Sequence, residues 1–331
     1  MSGMRAIAQE QAGGPETLRI VELDIPSPGP GEILIRMMAA SLNPVDYKVM
    51  GGGHPNWTYP HVPGVDGAGI VQEIGSGVTE WKIGDRVVFH ADFTRQGVCS
   101  EYAVTTAHTA ARIPASLSFE AAAAFPCAGL TAYQALVRKM KIQPGQSIFI
   151  HAGAGGVGGY AIQIAKLLGA DRIISSASAG NAEYVRSLGA DEVIDYTCVD
   201  VHERISELTD GLGVDLILNS INRATAQKDL SALAYSGQLA CIAGAPEIVA
   251  DFQPSTKTFT VHKLMLGGAH NSGNRQAEED LARMSEEFLG LMEAGYLNPL
   301  IGEVISLAEV GDALKRFSER HVRGKIVVKL M

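Results

Sequence analysis

The glycine-rich loop at residues 151–158 constrains the fold of this chain more than any other feature of its sequence. It reads H-A-G-A-G-G-V-G and carries the spacing G-x-G-x-x-G at Gly153, Gly155 and Gly158. The apolar segment S-I-F-I precedes the loop, and Y-A-I-Q-I-A-K-L-L-G, a typical helical segment, follows it. Between a strand and a helix, such glycines allow a tight turn, close approach of the backbone to pyrophosphate and free N–H groups at the helix start. The loop therefore predicts a dinucleotide-binding βαβ unit.

The segments around this loop predict two kinds of architecture. Downstream of it, the apolar segments R-I-I-S-S, E-V-I-D-Y, D-L-I-L-N-S and S-G-Q-L-A-C-I-A-G alternate with helical segments, which is typical of a doubly wound parallel sheet. We expect a last strand at 258–269 and helices at Thr131–Met140 and Glu278–Ala294. The first 117 or so residues instead show short alternating strands between Gly- and Pro-rich turns, and predict a β domain. The tail after about His270 is too short for its own domain and should return to that β domain.

Composition and charge exclude several classes of function. The chain has 331 residues, a net charge of −9 and no cluster of Lys and Arg, which argues against nucleic-acid binding. The N-terminus turns polar at once, and the longest apolar stretch, Ala121–Leu136, contains Pro126 and Gly129 and is too short to span a bilayer. The four cysteines are too far apart in sequence to indicate a metal or redox pair. We expect a cytoplasmic protein with reduced thiols and no membrane partner.

The end of the second strand bears on which dinucleotide is bound. NAD sites place Asp or Glu roughly 20 residues beyond the glycines, to hold the ribose 2′-hydroxyl. This chain has Ser175 and Ser176 there and no carboxylate. The absence of negative charge favours NADPH, although no Arg or Lys follows to attract its 2′-phosphate, and the two serines could simply end a strand.

Seven short motifs together resemble the zinc-free quinone oxidoreductase branch of the medium-chain dehydrogenase/reductase superfamily. They are N-P-V-D (43–46), P-G-V-D-G-A-G (63–69), G-D-R-V (84–87), G-L-T-A-Y (129–133), A-G-A-G-G-V-G (152–158), L-G-A-D-E-V-I-D-Y (188–196) and G-K-I-V (324–327). The resemblance implies an α/β fold with two domains. A GroES-like β-rich catalytic domain would take residues 1–125 and 270–331, and a Rossmann domain with a doubly wound parallel sheet would take 126–269.

The resemblance also bears on metal binding. Zinc-dependent relatives supply a Cys just before the position of Pro44, a His in the P-G-x-x segment and a downstream Cys or Asp. At the first two places this chain has Asn43 and Val65, and neither is a suitable zinc ligand. Asp66 keeps an acidic residue at the next position. We expect no zinc.

The resemblance assigns roles to residues by position. We expect cofactor contacts from Asn43, Thr131, Ala154, Gly155, Gly156, Val157, Ser175, Ser176, Ser178, Tyr196, Asn219, Ala243 and Gly244. Lys48 and Tyr47 are candidates to polarise or position the substrate, because N-P-V-D-x-K is similar to the motif of enone and alkenal reductases. From the residues themselves, His54, Trp57, Tyr59 and Phe93 are candidates for a substrate pocket that takes a planar acceptor.

The sequence thus predicts a zinc-independent NADPH-dependent oxidoreductase that transfers hydride to a quinone or an α,β-unsaturated carbonyl. Two alternatives remain open: a zinc-type alcohol dehydrogenase, and a non-catalytic NADPH-binding sensor or crystallin-like protein. Relatives pair through a sheet edge, so we expect a homodimer or a dimer of dimers through a strand at 261–269.

Overall fold

The computed structural model describes residues 3–247, 257–319 and 322–331, and the chain divides into two compact units. The first unit extends to Leu130 and resumes at Gly267–Met331, and the second comprises Thr131–Leu266. These bounds lie within a few residues of the divisions at 125/126 and 269/270 expected from the sequence.

The elements follow one another in chain order. The strands are β1 Gly3–Ala8, β2 Arg19–Asp24, β3 Glu32–Ser41, β4 Asp66–Ile74, β5 Arg86–His90, β6 Tyr102–Thr106, β7 Ala111–Arg112, β8 Ser147–Ile150, β9 Arg172–Ala177, β10 Glu192–Asp195, β11 Val214–Asn219, β12 Leu233–Cys241, β13 Phe259–Lys263, β14 Ile301–Ser306 and β15 Lys325–Lys329. The α-helices are α1 Pro44–Met50, α2 Phe119–Ala123, α3 Pro126–Tyr133, α4 Gly156–Leu167, α5 Ala182–Ser187, α6 Val201–Leu208, α7 Arg223–Ala232, α8 Arg275–Glu293 and α9 Val310–Ser318. Short 3₁₀ helices cover Pro15–Thr17, Ala107–Thr109, Ala179–Asn181, Leu266–Asn271 and Leu307–Glu309, and a π-helical segment, Gln134–Lys139, continues α3. Within the described ranges, no helix is both long and apolar enough to cross a membrane.

The second unit is built on the parallel sheet that the sequence predicts. Its strand order is β10-β9-β8-β11-β12-β13, and every neighbouring pair is parallel. The chain moves outward from β8 to β10, returns to β11 beside β8, and then moves outward in the other direction. Ile148, Phe149 and Ile150 of β8 are fully buried, as expected of a central parallel strand covered on both faces. The direction of winding changes between β8 and β11, and ligands bind to sheets of this kind at such a change.

The first unit is a mixed, mainly antiparallel β structure. Its seven-stranded sheet has the order β14-β15-β3-β4-β5-β7, with β6 also paired to β3, and β1 and β2 form a separate ribbon. The C-terminal tail returns to this unit, because β15 pairs antiparallel with β3 through Val327 and Ser41. As a result, Lys325 lies close to the start of α1, although nearly the whole chain separates them.

The predicted last strand at 258–269 is only partly correct. The strand β13 ends at Lys263, and Leu266–Asn271 forms a 3₁₀ helix. One further ladder bond, from Leu264 N to Cys241 O at 2.8 Å, follows the strand. Gly267 and Gly268 follow soon after, and glycine weakens a strand because it has no side chain to pack. The predicted helices also shift: the first begins at Pro126, and the second begins at Arg275 after its N-cap Asn274.

Candidate functional site

The glycine loop between β8 and α4 has the packing that its spacing predicts. A Cβ atom at Gly153 would collide with Oγ of Ser175, and one at Gly158 would collide with the carbonyl oxygen of Ala152. At Gly155 the nearest atom to such a Cβ lies 3.4 Å away. The first and third glycines are therefore required by packing. The second leaves the backbone open to a ligand, as pyrophosphate binding needs.

Hydroxyl groups of β9 hold this loop in place. Ser176 Oγ accepts a hydrogen bond from Ala152 N at 3.1 Å, and Ser175 Oγ donates to Ile150 O at 2.7 Å. Both serines are buried, because β9 lies between β8 and β10. We expected both side chains to face the adenosine ribose, but in this structure their hydroxyls have partners within the sheet and loop. Of the three serines, Ser178 is the half-buried one.

The other residues expected at the cofactor lie mostly at one edge of the sheet. Residues 154–157 follow β8, Ser178 follows β9, Tyr196 follows β10, Asn219 ends β11, and Ala243 and Gly244 follow β12. Because the strands are parallel, their carboxyl ends meet at the same edge, beside the change in winding direction. The N-cap of α4, Gly155, is extended, so the first N–H groups of that helix are available to an anion. Thr131 instead lies buried within α3.

A buried carboxylate at Asp229, which no sequence motif indicated, supports this edge. Asp229 accepts hydrogen bonds from Asn219 Nδ2 at 2.6 Å, and its oxygens lie 2.9 Å from His151 Nε2 and 2.8 Å from His202 Nε2. Burial raises the pKa of the Asp229 carboxyl, but these hydrogen bonds outweigh burial and hold the pKa below its usual value. The network therefore links the start of the glycine loop, α6, α7 and the end of β11.

The predicted substrate-pocket residues of the first unit form one aromatic cluster. His54 and Phe93 meet edge to face at 5.8 Å, and Trp57 Nε1 donates a hydrogen bond to Phe93 O at 2.8 Å. The centre of the cluster is His61, whose ring stacks on Trp57 at 3.7 Å and meets Tyr59 at 6.4 Å. No role for His61 was predicted, because a lone histidine outside a motif indicates little about function.

A small cavity beside this cluster contains polar atoms that lack partners. Asp46, Trp57, His61 and Phe93 are among its lining residues, and its volume of about 10 Å³ suits about one water molecule. Asp46 Oδ1 and His61 Nδ1 have no hydrogen-bond partner within the described structure. Burial raises the pKa of Asp46 to about 7 and lowers that of His61 to about 4. His61 is therefore neutral near neutral pH, and Asp46 keeps its proton up to about pH 7.

The two candidate polarising residues lie on α1. Lys48 is exposed in the last turn of this helix. Tyr47 is half-buried and packs against the core of the first unit. Their positions leave both roles as predictions.

A buried charged network lies at the start of α1. Asn43 Nδ2 donates to Asp66 Oδ2 at 2.7 Å, and Asn43 N donates to Asp46 Oδ2 at 2.7 Å. Lys325 Nζ donates to Asn43 Oδ1 at 2.6 Å and to Leu42 O at 3.1 Å, and lies 3.4 Å from Asp66 Oδ2. Asn43, expected beside the nicotinamide, thus uses its whole side chain in this network. The sequence singled out G-K-I-V as a motif but gave Lys325 no role.

Comparison with known proteins agrees with this architecture. The family model "Alcohol dehydrogenase GroES-like domain" matches residues 29–139, and "Zinc-binding dehydrogenase" matches residues 156–287. Quinone oxidoreductase from Pseudomonas aeruginosa is 32% identical over 96% of each chain. The structure of a quinone oxidoreductase from Pseudomonas syringae pv. tomato superposes with a TM-score of 0.88, at 31% identity over 99% of this chain and 100% of that one. A mycobacterial protein solved in complex with NADPH gives a TM-score of 0.86, at 29% identity over 99% and 100% of the two chains.

The fold and these relatives define an oxidoreductase of the medium-chain dehydrogenase/reductase superfamily, with a GroES-like and a Rossmann domain, and so confirm the predicted fold class. Within the superfamily, the chain belongs to the quinone oxidoreductase branch.

The zinc ion implied by one family model does not fit the residues present. Catalytic zinc needs three converging protein ligands. Asp66, His90 and Cys127 each offer an atom, all within 4.8 Å of one another. However, Lys325 Nζ already lies 3.4 Å from Asp66. At 4 Å, each pair of like unit charges costs about 4 kcal/mol in a protein-like medium, so an ammonium and a divalent ion oppose each other there.

Proposed function

We propose that this chain is a zinc-independent, NADPH-dependent oxidoreductase that transfers hydride to a quinone or an α,β-unsaturated carbonyl. The observation that carries the proposal is the ion pair of Lys325 with Asp66, buried beside the position where zinc-dependent relatives hold their metal. Without a Lewis acid, charge that develops on the acceptor oxygen must be met by hydrogen-bond donors or water. Quinones and enones suit such a site, because their conjugation delocalises that charge.

The choice of NADPH rests on the carboxyl edge of the parallel sheet. The strand β9 ends in Ser-Ser-Ala and carries no carboxylate that would repel a 2′-phosphate. The bound nicotinamide supplies the hydride. We expect the N–H groups of residues 154–157 to hold the pyrophosphate, and Ser178 and Tyr196 to contact the 2′-phosphate. The mycobacterial structural relative, which was solved with NADPH, supports this assignment.

The acceptor pocket that we propose is the aromatic cluster of the first unit. Trp57 already stacks on one flat ring, that of His61, at 3.7 Å. A planar quinone or enone can use the same kind of contact with Trp57, Phe93, Tyr59 or His54. Reduction adds one hydride and one proton to the acceptor. Tyr47 and Lys48 are our candidates to polarise or position its oxygen.

The test follows loss of NADPH absorbance, with NADH in parallel, against one polycyclic quinone and one medium-chain enone. We expect turnover with NADPH and at least one acceptor. Gly155→Val should abolish turnover by blocking the pyrophosphate position, whereas Gly180→Ala, which meets nothing within 4 Å, is the matched control. NADPH binding with no turnover of either acceptor would instead favour the sensor, and activity that depends on stoichiometric zinc would favour an alcohol dehydrogenase.

The edge of the parallel sheet supports a proposal about assembly. The strand order ends at β13, and edge strands are able to pair with a second copy of a chain. We expect a homodimer or a dimer of dimers through residues 261–269, which include the end of β13. A monomer in light scattering at micromolar concentration would contradict it.

A further inference from the structure

Two buried polar side chains beside the aromatic cluster each keep one atom without a partner. Asp46 and His61 are 2% and 3% exposed, and Asp46 Oδ1 and His61 Nδ1 have no hydrogen-bond partner among the described residues. Both side chains line the water-sized cavity whose wall also includes Trp57 and Phe93. A buried polar atom without a protein partner indicates an ordered water or a ligand. A water in this cavity would lie next to the proposed acceptor pocket.

The chemistry of the two side chains suits a water that passes on a proton. A protonated carboxyl group donates one hydrogen bond, and a neutral imidazole has one nitrogen that accepts. The water can therefore accept from Asp46 Oδ1, donate to His61 Nδ1 and keep a second O–H for an acceptor oxygen. The other oxygen of Asp46 is already used, because Oδ2 accepts the Asn43 N–H at 2.7 Å.

The surroundings of Asp46 keep its proton available near neutral pH. Burial is the largest cause that raises the pKa of Asp46 to about 7, the Asn43 N–H and the charge of Lys325 oppose it, and the charge of Asp66 adds to it. A group with such a pKa still holds its proton at pH 6 and releases it readily, as general acid catalysis near neutral pH requires.

The other titratable groups around Asp46 are less suited to this role. Its charge acts on the thiols of Cys99 and Cys127, but burial is the larger cause that raises the pKa of both, so they hold their protons too tightly. Arg95 also lines the cavity, but it pairs with Glu32 at 2.7 Å, and a guanidinium does not deprotonate in proteins. Among the described residues, Asp46 is thus the acid of this cavity.

We propose that Asp46 is the proton donor of the reaction, and that its proton reaches the acceptor oxygen through a water held between Asp46 Oδ1 and His61 Nδ1. The inference rests on the proposed function and adds the source of the proton to it. His61 is a positioning residue, since it holds the water and gives up no proton. Tyr47 and Lys48 remain our candidates to position the same oxygen.

Atoms and electrons balance in this step. The acceptor takes a hydride, with its two electrons, from the nicotinamide, which leaves negative charge on the acceptor oxygen. The water gives a proton to this oxygen as it takes the proton of Asp46. A quinone becomes a hydroquinone, and an enone becomes an enol that isomerises to the ketone in solvent. The Asp46 carboxylate regains a proton from solvent before the next turnover.

The test compares the wild type with Asp46→Asn, which keeps an oxygen for the Asn43 N–H but has no acidic proton. We measure kcat/KM for a polycyclic quinone and a medium-chain enone with saturating NADPH from pH 5 to pH 9. In the wild type it should fall about tenfold per pH unit above about pH 7, because protonated Asp46 is the active form. In Asp46→Asn it should be about 100-fold lower or more at pH 6 and lose this dependence. Asp24→Asn, at an exposed site in β2, should match the wild type.

His61→Phe tests the position of the water. Phenylalanine keeps a flat ring against Trp57 but lacks the nitrogen that holds the water. The variant should lower kcat about 10- to 100-fold, because the water is misplaced. The fall above pH 7 should remain, because Asp46 still titrates. A kcat equal to that of the wild type would contradict the role of His61.

Infrared difference spectra observe the Asp46 proton without turnover. The wild type minus Asp46→Asn should show the C=O stretch of a protonated carboxyl group below about pH 7 and lose it above. Adding the quinone to the NADP⁺ complex of the wild type should shift this band, because the water then also bonds to the acceptor. Near-UV circular dichroism checks the fold of each variant, and if Asp46→Asn does not fold, the quinone-induced shift decides.

Failure of this inference and failure of the proposed function give different results. If the wild type turns over an acceptor and Asp46→Asn keeps the same rate and pH dependence, the proton comes from elsewhere and the inference is wrong. The absence of the carboxyl band below pH 7 also overturns it. If the wild type binds NADPH but reduces neither acceptor, the proposed function is wrong and this inference falls with it.

Discussion

Replacing Asp46 by Asn tests whether burial keeps this carboxyl group neutral in the native protein. Asp46 Oδ2 accepts the Asn43 N–H at 2.7 Å, and Oδ1 has no partner within the described structure. Burial is the largest cause that raises the pKa of Asp46 from 3.8 to about 7, and the charge of Asp66 adds to it. Asparagine has the same shape, keeps an oxygen for the Asn43 N–H and cannot ionise.

The sign and size of the effect follow from these pKa values. Between 3.8 and about 7, the native state keeps the Asp46 proton that the unfolded chain releases. Stability is therefore greatest at a pH below the pKa that Asp46 has in the unfolded chain. It falls as the pH rises through the pKa that Asp46 has in the folded protein. At 1.36 kcal/mol per pKa unit, this loss amounts to about 4 kcal/mol. Asp46→Asn should remove this loss. Between pH 4 and pH 8, the free energy of unfolding of the variant should therefore rise by about this amount relative to the wild type.

Urea unfolding at several pH values measures this difference. Trp57 and Trp81 are the two tryptophans of the chain and both lie in the first unit, so their fluorescence reports on the unit that contains Asp46. Asp24→Asn, at an exposed site in β2, controls for the loss of a carboxylate from the same unit. If the difference in unfolding free energy between the wild type and Asp46→Asn stays constant with pH, the reasoning is refuted. Asp46 would then have its ordinary pKa in the folded protein.

Three further substitutions test the second unit. Gly158→Ala should destabilise it by about 1–3 kcal/mol and weaken NADPH binding, because the added methyl group meets the backbone of Ala152. Thermal unfolding with and without NADPH measures both effects, and a result equal to that of Gly180→Ala would contradict this packing. Asp229→Ala should cost about 3 kcal/mol, because three donors, two of them buried, lose their acceptor. A loss below about 1 kcal/mol in urea unfolding would show that the network carries little stability. Ser178→Asp should shift the ratio of affinities from NADPH toward NADH by about tenfold or more, since a carboxylate there repels a 2′-phosphate. Fluorescence titration with both cofactors measures this ratio, and an unchanged ratio would show that Ser178 does not lie at the 2′-phosphate.

The features that the sequence predicted depend on local patterns. The glycine spacing reflects contacts within one turn, and Gly153 and Gly158 meet atoms of neighbouring residues or of the adjacent strand. The alternation of strands and helices likewise predicts a parallel sheet. Each helix returns the chain to the edge of the sheet at which the preceding strand began, so the next strand runs in the same direction. Trp57 and Tyr59 lie two residues apart in one loop, where both contact His61, and Trp57 also donates a hydrogen bond to Phe93 O.

The features that the sequence did not predict depend on contacts between distant residues. Lys325 and Asn43 are 282 residues apart, and only the return of β15 to β3 brings them together. Asp229 lies 78 residues from His151. Ser175 and Ser176 illustrate a different reason. Their hydroxyl groups could bind phosphate, but the position of β9 between two strands directs these hydroxyls to internal partners. Hydrogen-bond partners of this kind follow from tertiary packing, which periodicity does not encode.

The most direct test of the central claim is quinone reduction by metal-depleted protein. The chain is dialysed against a chelator, its residual zinc is measured, and NADPH oxidation with a polycyclic quinone is followed before and after zinc is added back. We predict full turnover with less than about a tenth of a zinc per chain and no gain on adding zinc, because Lys325 already supplies the positive charge beside Asp66. Loss of turnover on depletion and its recovery with stoichiometric zinc would contradict the account.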